Sequence, residues 1–442
     1  MESNIEMKLI SEEIIKPSIP TADAIKEQKL SYIDQLIHSV YIPVIFFYNN
    51  NNNPLSSSSS SFLDNPSEKS LQLKQSLSKT LTKFYTFAGR VHRNTKILCN
   101  DSGVLFIEAR VHGSLSEVLR NGAVSTDLNQ FLGIEPYSGS DNDERRKIPL
   151  IVKLCCFDCG GISVGVCVFH QLADVSLLID FMNVWAGIQR GETQIPNPRL
   201  DLGFNYFPPL NQDDVIQPPV GPPPEERIVM RKFVFDKEKI TEIKEQISSN
   251  LQNPTRIEAV SAFIWKHIIQ VIKAKDESKT IFTFILAVNL RPKIFPNQPD
   301  SIIGGNFSVG IEGICRSEED TNIQGIAKVA RNCKEKFDYE LVKKTQNGSV
   351  YYDNLRHESL EFFMRSDSIF GFITSWCNFP LYKVDYGWGK PVSVAPVLMS
   401  YKNMVFLLDT KSGDGIQAWI TMAEDEMAML PPELLSLENN DL

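Results

Sequence analysis

Residues 150–191 of this chain read LIVKLCCFDCGGISVGVCVFHQLADVSLLIDFMNVWAGIQRG. Two apolar and β-branched runs, Leu150–Phe157 and Ile162–Phe169, flank a turn with two glycines, and this pattern predicts a hairpin of buried strands. The second strand ends at His170. Apolar residues then recur at helical spacing as far as Gly191, which predicts a helix that the glycine stops. Two strands followed by a helix indicate a fold of mixed α and β structure.

The same alternation of patterns continues on both sides of this stretch. On the N-terminal side the sequence predicts a strand at Tyr41–Tyr48, a helix at Lys69–Tyr85, and strands at Val91–Cys99 and Val104–Val111. On the C-terminal side it predicts a strand at Val229–Phe235, helices at Lys237–Asn250 and Arg256–Lys275, and a strand at Ile281–Leu290.

A proline-rich segment divides the chain almost in half. Seven prolines lie between Phe207 and Arg227. Because proline removes a hydrogen-bond donor and favours extended chain, this segment is typical of a semi-rigid linker. We therefore predict an N-terminal domain at 1–206, a linker at 207–227 and a C-terminal domain at 228–442, with a ligand cleft between the domains.

Composition excludes several classes of protein. The chain has 442 residues, 42% of them hydrophobic and 22% charged, which is a globular balance, and its formal charge is −9. A nucleic-acid binder usually carries a positive surface, so no nucleic-acid partner is expected. Apolar runs such as Ile42–Tyr48 are far shorter than the ~20 residues that cross a bilayer, so no membrane partner is expected either.

The N-terminus and the cysteines predict a reducing compartment. Acidic residues at Glu2, Glu6, Glu12 and Glu13 are not typical of a secretory signal. Eight cysteines in a chain of this length are too few for a disulfide scaffold, and those of the 150–169 hairpin are expected to be buried thiols. We expect a cytoplasmic monomer.

His170 and Asp174 form an H-x-x-x-D spacing where a strand meets a helix. An imidazole with a pKa near 6.5, held at the end of a buried strand, suits proton abstraction at neutral pH. Asp174 stands where a carboxylate can cap the helix that follows. The spacing alone is weak evidence, and it fits a core histidine beside a capping aspartate equally well. No G-x-S-x-G motif, activated cysteine or metal-ligand spacing accompanies it, so no metal is expected.

A second unusual string is DYGWGKP, residues 385–391. Gly387 and Gly389 bracket Trp388, and a proline follows, which specifies a tight and irregular loop. Asp385 could pair with a neighbouring cation, and the loop could be purely structural. This string is nevertheless far more specific than the His–Asp spacing.

The two motifs together resemble those of the BAHD family of plant coenzyme A-dependent acyltransferases, which carry H-x-x-x-D and D-F-G-W-G. The similarity extends over the whole chain, through LSYIDQ (30–35), AGR (88–90), TRIEAV (255–260), AVNLR (287–291) and TSWC (374–377). Finer strings, FDCGG (157–161) and MAEDEMAML (422–430), resemble the alkaloid-acetylating branch. Val175 stands where many members have glycine, Tyr386 where most have phenylalanine, and Thr86 where proline is usual.

The resemblance implies a fold and a reaction. The fold would be two similar-sized chloramphenicol-acetyltransferase-like domains, joined by a crossover loop, with the active-site channel between them. The co-substrate would be acetyl-CoA, and the acceptor a hydroxyl of a plant alkaloid of the monoterpenoid indole type. His170 would be the general base in a ternary complex, without an acyl-enzyme.

The resemblance also implies roles for further residues. Asp174 would point away from the cleft and pair with Arg291 to hold the histidine loop in shape. Asp385, Gly387, Trp388 and Gly389 would form an architectural loop away from the reaction centre. Thr374 and Trp376 would donate hydrogen bonds to the oxyanion, and such donors can supply a few kcal/mol to the transition state.

Two other functions fit the same sequence. One is an acyltransferase of this family with a malonyl or aromatic acyl-CoA as donor; a malonyl group would require a cation in the donor pocket. The other is a non-catalytic binding protein on the same fold. Retention of both His170 and Asp174 favours an enzyme over the binding protein.

Overall fold

A computed structural model describes residues 5–37, 39–49, 66–121, 125–136, 144–210, 226–249, 251–298, 301–336, 365–399 and 401–437. Most of the predicted linker at 207–227 lies outside the described residues.

The described residues form fifteen strands. They are β1 (Glu6–Ile15), β2 (Glu27–Lys29), β3 (Tyr41–Tyr48), β4 (Arg90–His92), β5 (Lys96–Leu98), β6 (Val104–His112), β7 (Leu150–Phe157), β8 (Ile162–Phe169), β9 (Ile228–Phe235), β10 (Ile281–Asn289), β11 (Ser308–Cys315), β12 (Ser368–Ser375), β13 (Ser393–Ala395), β14 (Met404–Asp409) and β15 (Ile416–Ala423).

The α-helices within the same part of the chain are α1 (Tyr32–Leu36), α2 (Pro66–Lys83), α3 (Leu115–Asn121), α4 (Val175–Gln189), α5 (Leu202–Tyr206), α6 (Lys237–Ile247), α7 (Arg256–Lys275), α8 (Arg291–Ile294), α9 (Ile323–Lys336), α10 (Glu424–Ala428) and α11 (Pro432–Leu435).

The first sheet has the strand order β1-β6-β7-β8-β3-β13 and is antiparallel except between β6 and β7. Its hairpin β7–β8 has the predicted limits. Every residue of β3 and β8 is buried, as their continuous apolar runs require. Helices α2 and α4 pack against each other, and the Trp185 indole on α4 donates to the Ser76 hydroxyl on α2 at 2.9 Å.

The second sheet has the order β11-β10-β12-β14-β15-β9, with parallel pairs at β10–β12 and β12–β14. Residues of α6, α7 and α9 share one hydrophobic core with this sheet, and Trp265 and Phe284 lie within it. The capping box of Thr255 and Glu258 begins α7 at Arg256, as the helical pattern predicts. Strands β2, β5 and β4 form a third, small sheet. The predicted α/β fold of two similar units is therefore confirmed.

One strand crosses between the two halves of the chain. β13 comes from the C-terminal half, yet Val394 pairs with Phe46 of β3 in the first sheet. Met230, Phe406 and Trp419 of the second sheet also belong to the hydrophobic core of the first. The domain limits 1–206 and 228–442 stay a prediction. They place β13 in the C-terminal domain, although this strand pairs with β3 in the first sheet.

The prediction of a single strand at Val91–Cys99 was wrong. The chain forms two short strands, β4 and β5, joined by a tight turn at Arg93 and Asn94. Both turn residues have positive φ, 48° and 55°. The Thr95 N–H donates to the His92 carbonyl at 3.1 Å across these two residues, and a β-turn of this mirror-image type needs positive φ at both central positions. Arginine rarely adopts it, so the sequence signal was weak.

Among the described residues, no helix has both the length and the apolar character to cross a membrane.

Candidate active site

His170 follows the last residue of β8. Its main-chain N–H donates to the carbonyl oxygen of Val40 at 2.9 Å, and its own carbonyl accepts from the Asn306 amide Nδ2 at 2.9 Å. These two bonds hold the histidine main chain between the two halves of the molecule.

The imidazole of His170 is in a state that suits a base. Burial lowers its pKa below the ordinary 6.5, while the carbonyl oxygens of His170 and Ala173, the Asp174 carboxylate and the Asn306 side chain oppose this effect. Nδ1 is buried and makes no hydrogen bond of standard geometry with any described residue. A lowered pKa favours the neutral imidazole at pH 7, and the neutral ring has one nitrogen lone pair that can accept a proton.

Both carboxylate oxygens of Asp174 accept hydrogen bonds from groups other than the imidazole. It caps α4, because Oδ1 accepts from the main-chain N–H of Leu177 at 3.0 Å. Oδ2 accepts from Arg291 Nη1 at 2.6 Å, from the N–H of Phe307 at 3.1 Å and from the Ser308 hydroxyl at 3.1 Å. Burial alone would raise the pKa of this carboxyl, but the Arg291 guanidinium holds it below its usual value.

Arg291 begins α8 and joins several segments of the chain. Its Nε donates to the carbonyl of Ile303 at 3.0 Å, and Nη2 donates to that of Gly305 at 2.7 Å. The guanidinium also lies over the Phe307 ring, 5.1 Å from its centroid. Since both partners of the Asp174–Arg291 pair are buried, the pair links the His170 turn rigidly to the second sheet.

Val175 is the first residue of α4 and packs partly against the first hydrophobic core. Its φ is not positive, so the backbone at this position does not require glycine.

Thr374 lies near the end of β12, and Trp376 follows the strand. The Trp376 indole is buried, and its Nε1 has no hydrogen-bond partner within the described part of the chain. Because a buried indole N–H usually finds a partner, this atom is an available donor. Among the described residues, no hydrogen bond or ring contact joins Thr374 or Trp376 to His170.

Part of the face of the second sheet that carries Thr374 is open. Phe372 lies two residues earlier on the same face and is 40% exposed although β12 is an interior strand. Ala287 of the neighbouring β10 is exposed on this face as well. Apolar side chains that line an open face beside a candidate donor can contact an apolar substrate.

The DYGWG loop is braced by Asp385. Its Oδ1 accepts from the N–H groups of Gly387 and Gly389 at 2.8 and 2.9 Å, and its carbonyl accepts from the Arg190 guanidinium. Both glycines have positive φ, +98° and +107°, which explains why this loop needs them. The Trp388 ring packs against Tyr48 with 6.1 Å between centroids. Within the described residues, no hydrogen bond or ring contact joins this loop to His170.

Tyr386 permits a stability prediction. Its ring packs against Trp185 at 5.0 Å, but its buried hydroxyl has no partner among the described residues. Tyr386→Phe should therefore raise the free energy of unfolding by about 1 kcal/mol, because it removes an unpaired polar group. Tyr48→Phe is the matched control, since the Tyr48 hydroxyl donates to the Val384 carbonyl at 3.0 Å, and it should lower stability by about the same amount. Urea unfolding measures both. A loss of stability in Tyr386→Phe would show that its hydroxyl has a partner.

The cysteines offer no activated nucleophile among the described residues. Burial raises the pKa of Cys155 to about 12 and that of Cys156 to about 11, and it raises that of Cys167 as well. Cys159 is exposed, which differs from the burial predicted for this hairpin, because it lies in the turn. A thiol with a raised pKa is a poor nucleophile at pH 7.

Two residues of the site were missed in the sequence. Asp34 and Asn306 are both buried and hydrogen-bonded to each other, and Asn306 contacts His170 directly. Asn306 begins the string NFS, which resembles a glycosylation acceptor, but its side chain is fully enclosed. The glycines before it could have indicated a close approach of two backbones, since Gly305 has φ +89° and lies beside Gly203.

The fold and this site define the class of protein. A family model described as the Transferase family matches residues 5–434, nearly the whole chain. The chain belongs to this family, the BAHD acyltransferases, and is an acyltransferase whose donor is a coenzyme A thioester.

Individual relatives are similar to this chain over its whole length. The chain is 41% identical over 440 residues to stemmadenine O-acetyltransferase of Catharanthus roseus, with 99% of both chains covered. It is also 41% identical over 438 residues to vinorine synthase of Rauvolfia serpentina, again with 99% of both covered. The crystal structure of vinorine synthase matches with a TM-score of 0.83 at 39% identity over 99% of each chain. F. graminearum TRI101, complexed with coenzyme A and deoxynivalenol, matches with a TM-score of 0.72 at 16% identity over 93% of this chain and 98% of that one, which shows the fold alone.

Proposed function

We propose that this enzyme transfers the acetyl group of acetyl-CoA to a hydroxyl of a plant alkaloid of the monoterpenoid indole type. The observation that carries the chemistry is the position of His170, which directly follows β8 and whose main chain is hydrogen-bonded to both halves of the molecule. The acetyl donor and the alkaloid acceptor are supported by the full-length similarity to relatives named for stemmadenine O-acetylation and vinorine synthesis.

The reaction proceeds in a ternary complex without an acyl-enzyme. The acceptor oxygen attacks the thioester carbonyl while His170 takes the hydroxyl proton through Nε2. The tetrahedral intermediate then collapses, the C–S bond breaks, and the thiolate of coenzyme A receives that proton from the imidazolium. Direct attack agrees with the raised pKa values of Cys155, Cys156 and Cys167, because a thiol that stays protonated is a poor nucleophile.

The other residues act around this proton transfer. Trp376 Nε1 and the Thr374 hydroxyl donate to the oxyanion, and each such donor supplies about 3 kcal/mol to the transition state. Asp174 and Arg291 position the histidine turn, and the Asp385 loop has an architectural role. The open face at Phe372 and Ala287 contacts the apolar body of the acceptor. The enzyme acts as a cytoplasmic monomer.

A substrate panel tests the proposed function. The purified enzyme is incubated separately with labelled acetyl-, malonyl- and coumaroyl-CoA, each with indole and benzylisoquinoline alcohols, simple phenolics and sugars. We expect acetyl esters of indole alkaloid alcohols, with much lower transfer from the malonyl and coumaroyl donors. Turnover confined to phenolics or sugars would overturn the acceptor assignment, and preferred malonyl or coumaroyl transfer would overturn the donor assignment.

A further inference from the structure

Asn306 contacts the catalytic turn from the second half of the chain. Its side-chain Nδ2 donates to the His170 carbonyl at 2.9 Å and to Asp34 Oδ1 at 2.7 Å. Its main-chain N–H donates to the same Asp34 oxygen at 3.1 Å. The side chain is completely buried, so no water competes for these bonds. One amide group therefore joins the histidine turn, the N-terminal helix α1 and the segment before β11.

Asp34 is an unusual partner for this amide. It is 4% exposed, and its Oδ2 accepts from the N–H and the hydroxyl of Ser31, each at 2.7 Å, in the capping box of α1. Among the described residues no cation pairs with it. Burial raises the pKa of Asp34, while the bonds from Asn306 and Ser31 oppose that rise. A buried carboxylate satisfied by neutral donors is costly unless every bond is kept, so Asn306 is fixed in orientation.

We propose that Asn306 is a positioning residue for His170 and that Asp34 holds it in place. This proposal rests on the proposed function, since it takes His170 as the base. Both acceptors of Nδ2 are oxygen atoms, a carboxylate and a carbonyl, so the position requires an NH2 group. An aspartate of the same shape would offer no NH2 group to the His170 carbonyl, and it would set a second buried carboxyl against Asp34, so the two carboxyls would have to share a proton.

The contacts around His170 show why the hydrogen bond from Asn306 is needed. Nδ1 of the His170 ring has no hydrogen-bond partner of standard geometry among the described residues, so the two main-chain bonds are what fix the position of this residue. The N–H side of that main chain is held by Val40 of the first half. The carbonyl side is held by Asn306. An isolated bridge between Ala173 and Gly305 lies alongside and keeps the two segments in register.

The test compares two isosteric changes of buried asparagines. Asn306→Asp should lower kcat by about 10-fold or more, because small misplacement of a catalytic group is expensive. The KM for acetyl-CoA should change by less than about 3-fold. Asn403→Asp is the control: Asn403 is buried, and its Nδ2 donates to the carbonyl of Phe370 at 3.2 Å, in the second sheet.

A second variant separates positioning from stability. In Asp34→Asn/Asn306→Asp the amide and the carboxylate exchange places, so the two side chains can again hydrogen-bond to each other. Part of the melting temperature that is lost in Asn306→Asp should therefore return. The His170 carbonyl still lacks its donor, so kcat should stay low. Recovery of wild-type kcat in the double variant would overturn the positioning role.

A readout without turnover distinguishes this proposal from the proposed function. The imidazole of His170 is followed by histidine NMR titration and assigned by its absence in His170→Ala. We expect a titration below pH 6.5 in the wild-type protein and a titration about one unit or more higher in Asp34→Asn/Asn306→Asp, where the one carboxyl of the pair lies beside the imidazole, whether or not the correct alcohol is known. An unchanged titration in the double variant together with unchanged kcat in folded Asn306→Asp would overturn the proposal. A wild-type enzyme that transfers no acyl group would instead overturn the proposed function.

Discussion

His170→Ala is expected to lower kcat by about 10²–10⁴-fold while the protein stays folded, because this range is typical for the loss of a positioned general base. The structure gives the reason: His170 directly follows β8, burial lowers the pKa of its imidazole and so favours the neutral form at pH 7, and Nδ1 has no hydrogen-bond partner within the described residues. Its removal deletes a proton acceptor and leaves the main-chain bonds to Val40 and Asn306 available. Steady-state kinetics of the variant measure the loss of kcat, and its circular dichroism spectrum shows whether the protein stays folded.

His112→Ala is the matched control for this change. His112 lies on the surface, where its Nδ1 is 3.1 Å from Asp158 Oδ2. Its loss should leave kcat unchanged. Near-wild-type turnover in folded His170→Ala would show that His170 is not the base.

The Asp174–Arg291 pair should matter for stability as much as for activity. Truncating one partner of a buried ion pair costs roughly 3–5 kcal/mol, because the other charge stays buried without compensation. Asp174→Ala also removes the cap of α4 and the acceptor for Phe307 and Ser308. Either Asp174→Ala or Arg291→Ala should therefore lower the free energy of unfolding in urea by that amount and lower kcat as well.

An exposed ion pair serves as the control for this stability prediction. Arg145 and Glu12 are 2.9 Å apart on the surface, and truncating either should cost at most about 1 kcal/mol. Asp174→Leu/Arg291→Met should recover part of the stability lost in each single variant, since no unpaired charge remains buried. Full stability with lost turnover in Asp174→Ala would mean that Asp174 acts directly on the reaction.

Local patterns predicted most of the regular structure. Strands β3, β7 and β8 and helix α7 have the predicted limits, because a buried strand or an amphipathic helix is specified by its own residues. The exchange of β13 was not predicted. Its three residues are too few for a periodic signal, and its place depends on pairing with a strand more than 300 residues earlier in the chain.

The site was only partly visible in the sequence. The H-x-x-x-D spacing located the histidine because both residues lie on one short turn. Asn306 and Asp34 are 272 positions apart, and neither has a local feature that indicates the other. Their contact follows from the packing of the two halves, which single-sequence patterns do not describe.

The most direct measurement is the pH dependence of a single turnover. Rapid-quench mixing of the enzyme–acetyl-CoA complex with the alkaloid alcohol gives the rate of ester formation for the wild-type enzyme and for His170→Ala. Since the base must be neutral and burial lowers its pKa, the wild-type rate should fall on the acidic side with a midpoint below pH 6.5, as the imidazole becomes protonated. His170→Ala should be slow and should lack this acid limb. The same limb in both proteins would show that a different group accepts the proton.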